Sequence, residues 1–271
     1  MRPRVLALLV SSCAAFVLTT APAGAQLAPF GPAGVVMGHV HLNVTDIDAH
    51  RKFWSALGGK PVKNGQLEMM AFPGVFVNLR VQKPTAGTVG STVNHFGFQV
   101  KHMQDWLPKW QAAGLTMEPQ TRPTQVFLNG PDDVRVEILE DETLDVPLRM
   151  HHVHLFVPDP VAAQAWYAKT FGAIAGKRGQ FDAADLPGVN LTFSKSDTPT
   201  APTIGRVVDH IGFEVSGLEQ FIKKLEASGI KFDRPYQKSQ LAPTVSISYL
   251  TDPWGTQVEL TENLAPGSGA K

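Results

Sequence analysis

Cysteine is almost missing from this chain: Cys13 is the only one among 271 residues. A single thiol permits no intrachain disulfide and no cysteine-built zinc site. Net charge is missing too, since 24 Lys and Arg balance 24 Asp and Glu. That balance offers no electrostatic footprint for nucleic acid or for an anionic membrane surface. Nor is there a long apolar run. The stretch from Val5 to Leu18 is about fourteen residues, short of the roughly twenty that span a bilayer comfortably. What remains, 43% hydrophobic and 18% charged, is the composition of a folded globule and not of a disordered chain.

Arg2 and Arg4 precede the apolar run, and Ala21, Ala23, Gly24 and Ala25 follow it. That order is a secretory signal peptide over residues 1–25, so an exported protein, periplasmic or extracellular, is expected. Cleavage after Ala25 would begin the mature chain at Gln26 and remove Cys13 with the leader. The mature chain would keep 22 basic and 24 acidic residues. A rival reading makes Val10-Ser11-Ser12-Cys13 a lipid-attachment box. It fits less well, because the apolar stretch continues past Cys13 through Phe16, Val17 and Leu18.

An internal repeat organises the remainder. Gly38-His39-Val40-His41-Leu42-Asn43-Val44 returns as Asn94-His95-Phe96-Gly97-Phe98-Gln99-Val100, then as His151-His152-Val153-His154-Leu155-Phe156-Val157, then as Asp209-His210-Ile211-Gly212-Phe213-Glu214-Val215. Histidine holds the second place each time, at steps of 56, 57 and 58 residues. Each segment alternates with period two, the pattern of a strand with two unlike faces. Val40, Leu42 and Val44 share one face; His39, His41 and Asn43 share the other. A helix pattern follows each strand, starting at Thr45 or Asp46 and ending near Gly58 in the first copy. Met103 to Ala113 and Leu218 to Ser228 match it in the second and fourth, although Pro108 is awkward inside a helix. Further short strands follow, so each copy reads β-α-β-β-β.

The expected fold is therefore α+β: four such modules, paired into two cup-shaped mixed-sheet domains with helices outside. Residues 36–146 would form the first domain and 150–262 the second, joined by the acidic Glu140 to Pro147 stretch. Residues 263–271 read as a flexible tail.

The polar faces carry the chemistry. His152 and His210 open two strands, and Glu259 lies on the matching face of the last strand. His39, His95 and Glu137 repeat this in the first half. Two imidazoles and a carboxylate are the ligand set of a facial triad, which suits iron(II) or manganese(II), with zinc or nickel as further options. Burying a carboxylate beside two histidines without a cation would cost several kcal/mol or force protonation. Any one of these residues alone fits a hydrogen-bonded core position; six in the same frames of two repeats point to metal. His152, His210 and Glu259 are the first candidate site, and His39, His95 and Glu137 a possible second. His41 and His154, two residues on, are assigned to substrate or to support of the ligands.

These modules, the opening His strands and Asp252-Pro253-Trp254-Gly255-Thr256-Gln257-Val258-Glu259-Leu260 resemble the vicinal oxygen chelate superfamily of glyoxalases, bleomycin- and fosfomycin-resistance proteins and extradiol dioxygenases. The resemblance spans nearly all of 36–262. It implies a divalent metal ion and a small substrate that chelates it through adjacent oxygens. Four modules with His, His and Glu in the third and fourth are similar to extradiol dioxygenases. Their signature tyrosine, ten residues before the ligand Glu, is matched by Tyr249, which would contact a metal-bound hydroxyl; Phe127 stands there in the first half. The dioxygenases' acid/base histidine is missing, since no histidine occurs from 155 to 209. A glyoxalase-like isomerase or lyase would need a fourth carboxylate ligand. The matching strands offer Asn78, Arg80, Thr192 and Ser194 instead. A non-catalytic protein holding a small ligand in its cup is the alternative from another class. No nucleic-acid partner and no stable membrane span are expected, and the chain would be a monomer or homodimer.

Overall fold

The computed structural model describes residues 27–267, so the expected signal peptide lies outside the described residues. The first module runs through β1 (Val35–Val44), α1 (Ile47–Leu57), β2 (Lys60–Asn64), β3 (Leu67–Phe72) and β4 (Val75–Val81). The second has β5 (Val93–Val100), α2 (Met103–Ala112), β6 (Thr116–Met117), β7 (Gln125–Asn129) and β8 (Arg135–Glu140). The third has β9 (Leu148–Val157), α3 (Pro160–Phe171), β10 (Ile174–Arg178), β11 (Phe181–Leu186) and β12 (Val189–Lys195). The fourth has β13 (Val208–Val215), α4 (Leu218–Ala227), β14 (Arg234–Lys238), β15 (Ser246–Thr251) and β16 (Gln257–Glu262).

Local chemistry explains the helix limits. Asp46 caps α1 by accepting from the amides of Asp48 and Ala49, and Gly58 ends it with a left-handed φ of 113°. Asp159 caps α3 ahead of Pro160 in the first turn, where a missing N–H costs nothing. Helix α2 runs on through Pro108. Helices α1, α3 and α4 lie against strands of their own modules, and α2 meets α1.

The sheets do not follow the halves of the chain. One eight-stranded sheet has the order β14-β15-β16-β13-β1-β4-β3-β2, and the other β10-β11-β12-β9-β5-β8-β7-β6. Module one thus pairs with module four, and module two with module three, in place of the pairing within 36–146 and within 150–262. The crossings explain how. Residues 82–92 and 196–207 each carry the chain from one sheet to the other, and they bond to each other along the way. The amides of Thr85 and Thr92 donate to Gly205 and Ala201 at 2.8 and 3.0 Å, and those of Val207 and Ala201 donate back to Ala86 and Gly90, both at 2.9 Å. Arg206 adds bonds to the carbonyls of Gly87 and Val89. Each crossing therefore satisfies main-chain groups of the other.

The halves survive as packing units. Trp54 of module one stacks on Phe96 of module two at 5.7 Å, and Phe72 packs on Phe98 at 4.8 Å. Phe171 of module three meets Phe213 of module four at 5.0 Å. One core thus joins the apolar faces of both sheets. The segment expected as a flexible tail begins tied down. Leu264 is buried, and Glu214 accepts from the amides of Asn263 and Leu264 at 2.6 and 3.2 Å.

Candidate metal centre

The strand register builds each site. Across the first sheet, Tyr249 pairs with Glu259, Glu259 with Gly212, and Gly212 with His39. His39 and Glu259 are two strands apart, roughly 9.5 Å between backbones. They can meet only over an intervening residue without a side chain. Gly212 is that residue: a Cβ there would lie 2.0–2.5 Å from three atoms of the His39 ring. The second sheet repeats the row with Phe127, Glu137, Gly97 and His152, and a Cβ on Gly97 would lie 2.3 Å from the ring of His152. Two residues along, on the same face, His41 pairs with His210, and His154 with His95.

Two clusters result: His39, His41, His210 and Glu259, and separately His95, His152, His154 and Glu137. Within each, one ligand atom per residue lies within 4.8 Å of all the others. The candidate residues are all used, but in new company. His152 does not join His210 and Glu259; it faces Glu137 at 2.8 Å. His39 does not join His95 and Glu137; it faces Glu259. The cause is the exchange of partner modules, which swaps the two odd-module histidines between carboxylates.

In the first cup, Nε2 of His39 and Nε2 of His210 lie 2.8 and 2.9 Å from the same oxygen, Oε2 of Glu259. Tyr249 donates its hydroxyl to the other oxygen, Oε1, at 2.6 Å. Its partner is therefore the carboxylate itself, not a group beyond it. Burial pushes the phenol up, the Glu259 charge adds to this, and Tyr249 stays a donor. Burial would raise Glu259, but hydrogen bonds from His210 and His39 outweigh it and hold the carboxyl well below its usual range. For His210, burial favours the neutral ring, yet hydrogen bonds to Asp209 and Glu259 raise it to about 9. Asp209 sits behind it, Oδ1 2.7 Å from Nδ1. Its other oxygen accepts from Asn43 and from the Gly205 amide. Nε2 of His41, Nδ1 of His39 and Oδ1 of Asn78 are buried without partners among the described residues. A cavity of about 520 Å³ opens over His41, Asn78, His210, Tyr249 and Glu259.

The second cup differs in its surroundings. Asn94 replaces Asp209 behind His95, at 2.9 Å, and burial holds His95 below its ordinary value. Gln125 donates to Oε1 of Glu137, and Arg178 reaches Oε2 at 3.5 Å. His154 is satisfied by Ser194 at 2.8 Å. Sequence reasoning passed over Asp209, Gln125, Arg178 and the two glycines. Aligning the repeats marks the first two, since Asn94 and Asp209 each precede the histidine, and Gln125 and Ile247 each stand two before Phe127 and Tyr249.

The first cup fits a divalent ion. Its donors are imidazole nitrogens and a carboxylate, and His41, whose Nε2 is buried without a partner among the described residues, lines the cavity beside them.

Residues 149–260 match the model of the Glyoxalase/Bleomycin resistance protein/Dioxygenase superfamily. Glyoxalase I from Zea mays is similar in structure with a TM-score of 0.68 at 17% identity, covering 84% of this chain and 92% of that one. A putative dioxygenase from Bacillus subtilis subsp. subtilis str. 168 has a TM-score of 0.67 at 15% identity, covering 87% and 91%. A comparison with curated proteins finds no match. At these identities the structural likenesses speak for the fold, and the family model for the third and fourth modules. By that match the third and fourth modules belong to the Glyoxalase/Bleomycin resistance protein/Dioxygenase superfamily, and the chain as a whole shares the fold of these two structures.

Proposed function

We propose that this is an exported, divalent-metal-dependent enzyme whose working site is the first cup, His39, His210 and Glu259. Its substrate is a small molecule that chelates through neighbouring oxygens. The observation that carries this is the convergence of two buried imidazole nitrogens on one carboxylate oxygen, beside a cavity bearing unpartnered polar atoms. A bound ion, iron(II) or manganese(II) by preference and zinc or nickel as options, supplies a Lewis acid and a template. The chain's own residues do the rest. His41 lines the cavity, and its buried Nε2, without a partner among the described residues, is the nitrogen that would take a proton from the substrate. Asn78 offers a carbonyl oxygen to a substrate hydroxyl. Tyr249 and Asp209 hold Glu259 and His210 in place.

The proton carrier missing from residues 155–209 is thus supplied by module one, which supports isomerase or lyase chemistry at a carbon next to the chelating oxygens. Ring cleavage with oxygen is the second reading, favoured by Tyr249 ten residues before Glu259. The extradiol pattern of a triad within modules three and four is not met, because His152 lies in the other sheet. Export rests on the leader-like residues 1–25. A chain acting alone or as a homodimer fits this reading.

Metal analysis of protein purified without chelator tests the site, with His39→Ala, His210→Ala and Glu259→Ala beside it. One ion per chain in the parent and none in the variants is expected; full metal content in the variants would sink the assignment. Solvent-deuterium exchange into hydroxy and keto acids, set against oxygen uptake on catechols, separates the two chemistries.

A further inference from the structure

The two cups descend from one repeat but are not equivalent. In the first, Oε2 of Glu259 meets only imidazoles. In the second, Oε2 of Glu137 meets both imidazoles and the guanidinium of Arg178, while Gln125 occupies Oε1. We propose that Arg178 stands where a divalent ion would act, so that the second cup of the native protein is a metal-free tie between modules two and three. This rests on the reading of the His, His, Glu set as metal-binding.

Four observations carry it. Arg178 is the last residue of β10, and the matching last residue of β2 in the first cup is Asn64. Asn64 is too short to cross the cup, and it donates instead to the carbonyl of Leu264 at 2.9 Å. Gln125 likewise has an apolar counterpart, Ile247, which lines the open cavity of the first cup. Arg178 is anchored as well as placed: Nη1 donates to Thr192 at 3.0 Å, and Thr192 donates on to Asn190 at 2.6 Å. Finally, His154 has a partner in Ser194, whereas its counterpart His41 has none for Nε2. The carboxylate of the second cup thus has a guanidinium and an amide against it that the first cup lacks, although Nε2 of His152, 2.8 Å from Glu137, makes no well-formed hydrogen bond.

A positive charge at contact distance from the shared carboxylate weakens binding of a divalent ion there by on the order of a hundredfold or more at the effective dielectric of a buried site. Arg178→Met removes it with little change in bulk, and Arg178→Asn with Gln125→Ile gives the second cup the residues of the first.

Cobalt(II) added to the metal-free full chain is the probe, read by equilibrium dialysis and by the visible bands of the bound ion. The native protein takes one ion per chain, lost in His210→Ala and retained in His152→Ala. Arg178→Met takes two, and the second is lost again when His152→Ala is added. Circular dichroism confirms that each variant is folded, with the Arg178→Asn, Gln125→Ile chain as the second route should Arg178→Met fail. Two ions in the native chain would overturn the proposal. So would a single ion that depends on His152, or no gain in either folded Arg178 variant. If the native chain binds none and Arg178→Met gains one at His152, the metal reading of the first cup fails while the role of Arg178 stands.

Discussion

Gly212→Ala tests the architecture of the first cup at one methyl group. The added Cβ would lie 2.0, 2.2 and 2.5 Å from Cε1, Nδ1 and Nε2 of His39. Ordinary contact needs well over 3 Å, so the ring must move by about an ångström or the strands must part. Overpacking of this kind costs roughly 1–3 kcal/mol. Displacing the ring also breaks its 2.8 Å contact with Glu259, and a buried group left without its partner costs about 1–3 kcal/mol more. At roughly 2–4 °C per kcal/mol for a chain of this size, the melting point falls by roughly 4–24 °C. Thermal unfolding of metal-free protein reads this, and metal affinity falls in parallel. Adding His39→Ala removes the clash, so the double variant melts no lower than His39→Ala alone, a coupling that a double-mutant cycle isolates. Gly176→Ala is the control, because nothing lies within 4 Å of a Cβ there. A Gly212→Ala protein that melts like the parent and binds metal as tightly would refute the claim that this glycine lets His39 reach Glu259.

Three further outcomes are expected. Burial, with the charges of His95 and Arg178, lowers His154 to about 3 against an ordinary 6.5; the unfolded chain then binds a proton the folded one refuses, so stability is full above pH 6.5 and declines by a few kcal/mol towards pH 3. Urea unfolding across that range shows a shallower decline in His154→Gln, and an identical pH slope in the variant would contradict it. Because His210 is raised to about 9 in the metal-free cup, metal uptake at pH 7.5 releases about one proton per ion, measurable by calorimetry in buffers of different ionisation enthalpy; release near zero would mean that His210 is neutral beforehand. A chain ending at Glu262 loses Leu264 from the cavity wall and two amide donors to buried Glu214; a loss of about 2–4 kcal/mol is expected in denaturant unfolding, and an unchanged midpoint would show the segment to be dispensable.

Much of this was legible in the four repeats. Period-two alternation around His39, His95, His152 and His210 marks strands with an apolar and a polar face. Asp46 and Gly58 mark helix ends by capping chemistry that acts over a few residues. The residue types of the candidate site were legible for the same reason: imidazole and carboxylate recur in frame, whatever the partners. The grouping was not. Odd modules read His-x-His and even modules His-x-Gly, at 39/41 and 152/154 against 95/97 and 210/212. An antiparallel pair that seats a histidine ring over the neighbouring strand needs glycine opposite it, so an odd module must pair with an even one. That rule is satisfied equally by modules one with two and by one with four.

The choice between those pairings rests on interactions that side-chain pattern does not encode. The two crossing segments recognise each other through main-chain bonds such as Thr85 to Gly205 and Val207 to Ala86, which most residues can make. The apolar faces behave as the halves suggested, with Trp54 against Phe96 and Phe171 against Phe213. Core and cups therefore follow different pairings of the same four modules. Each cup is built from modules whose apolar faces pack against the modules of the other cup in one shared core, beside a small separate cluster of Met69, Ala71, Phe76 and Leu264 in the first sheet. A change that opens one cup, such as Gly212→Ala, must then be felt through Phe213, the next residue, and its ring contact with Phe171 on the helix of the other sheet. This arrangement also explains how the cups can differ in chemistry without differing in fold. The repeat's apolar residues are held to a common pattern by the shared core, while Asp209 or Asn94, Tyr249 or Phe127, and Asn64 or Arg178 face only their own cup and are free to diverge.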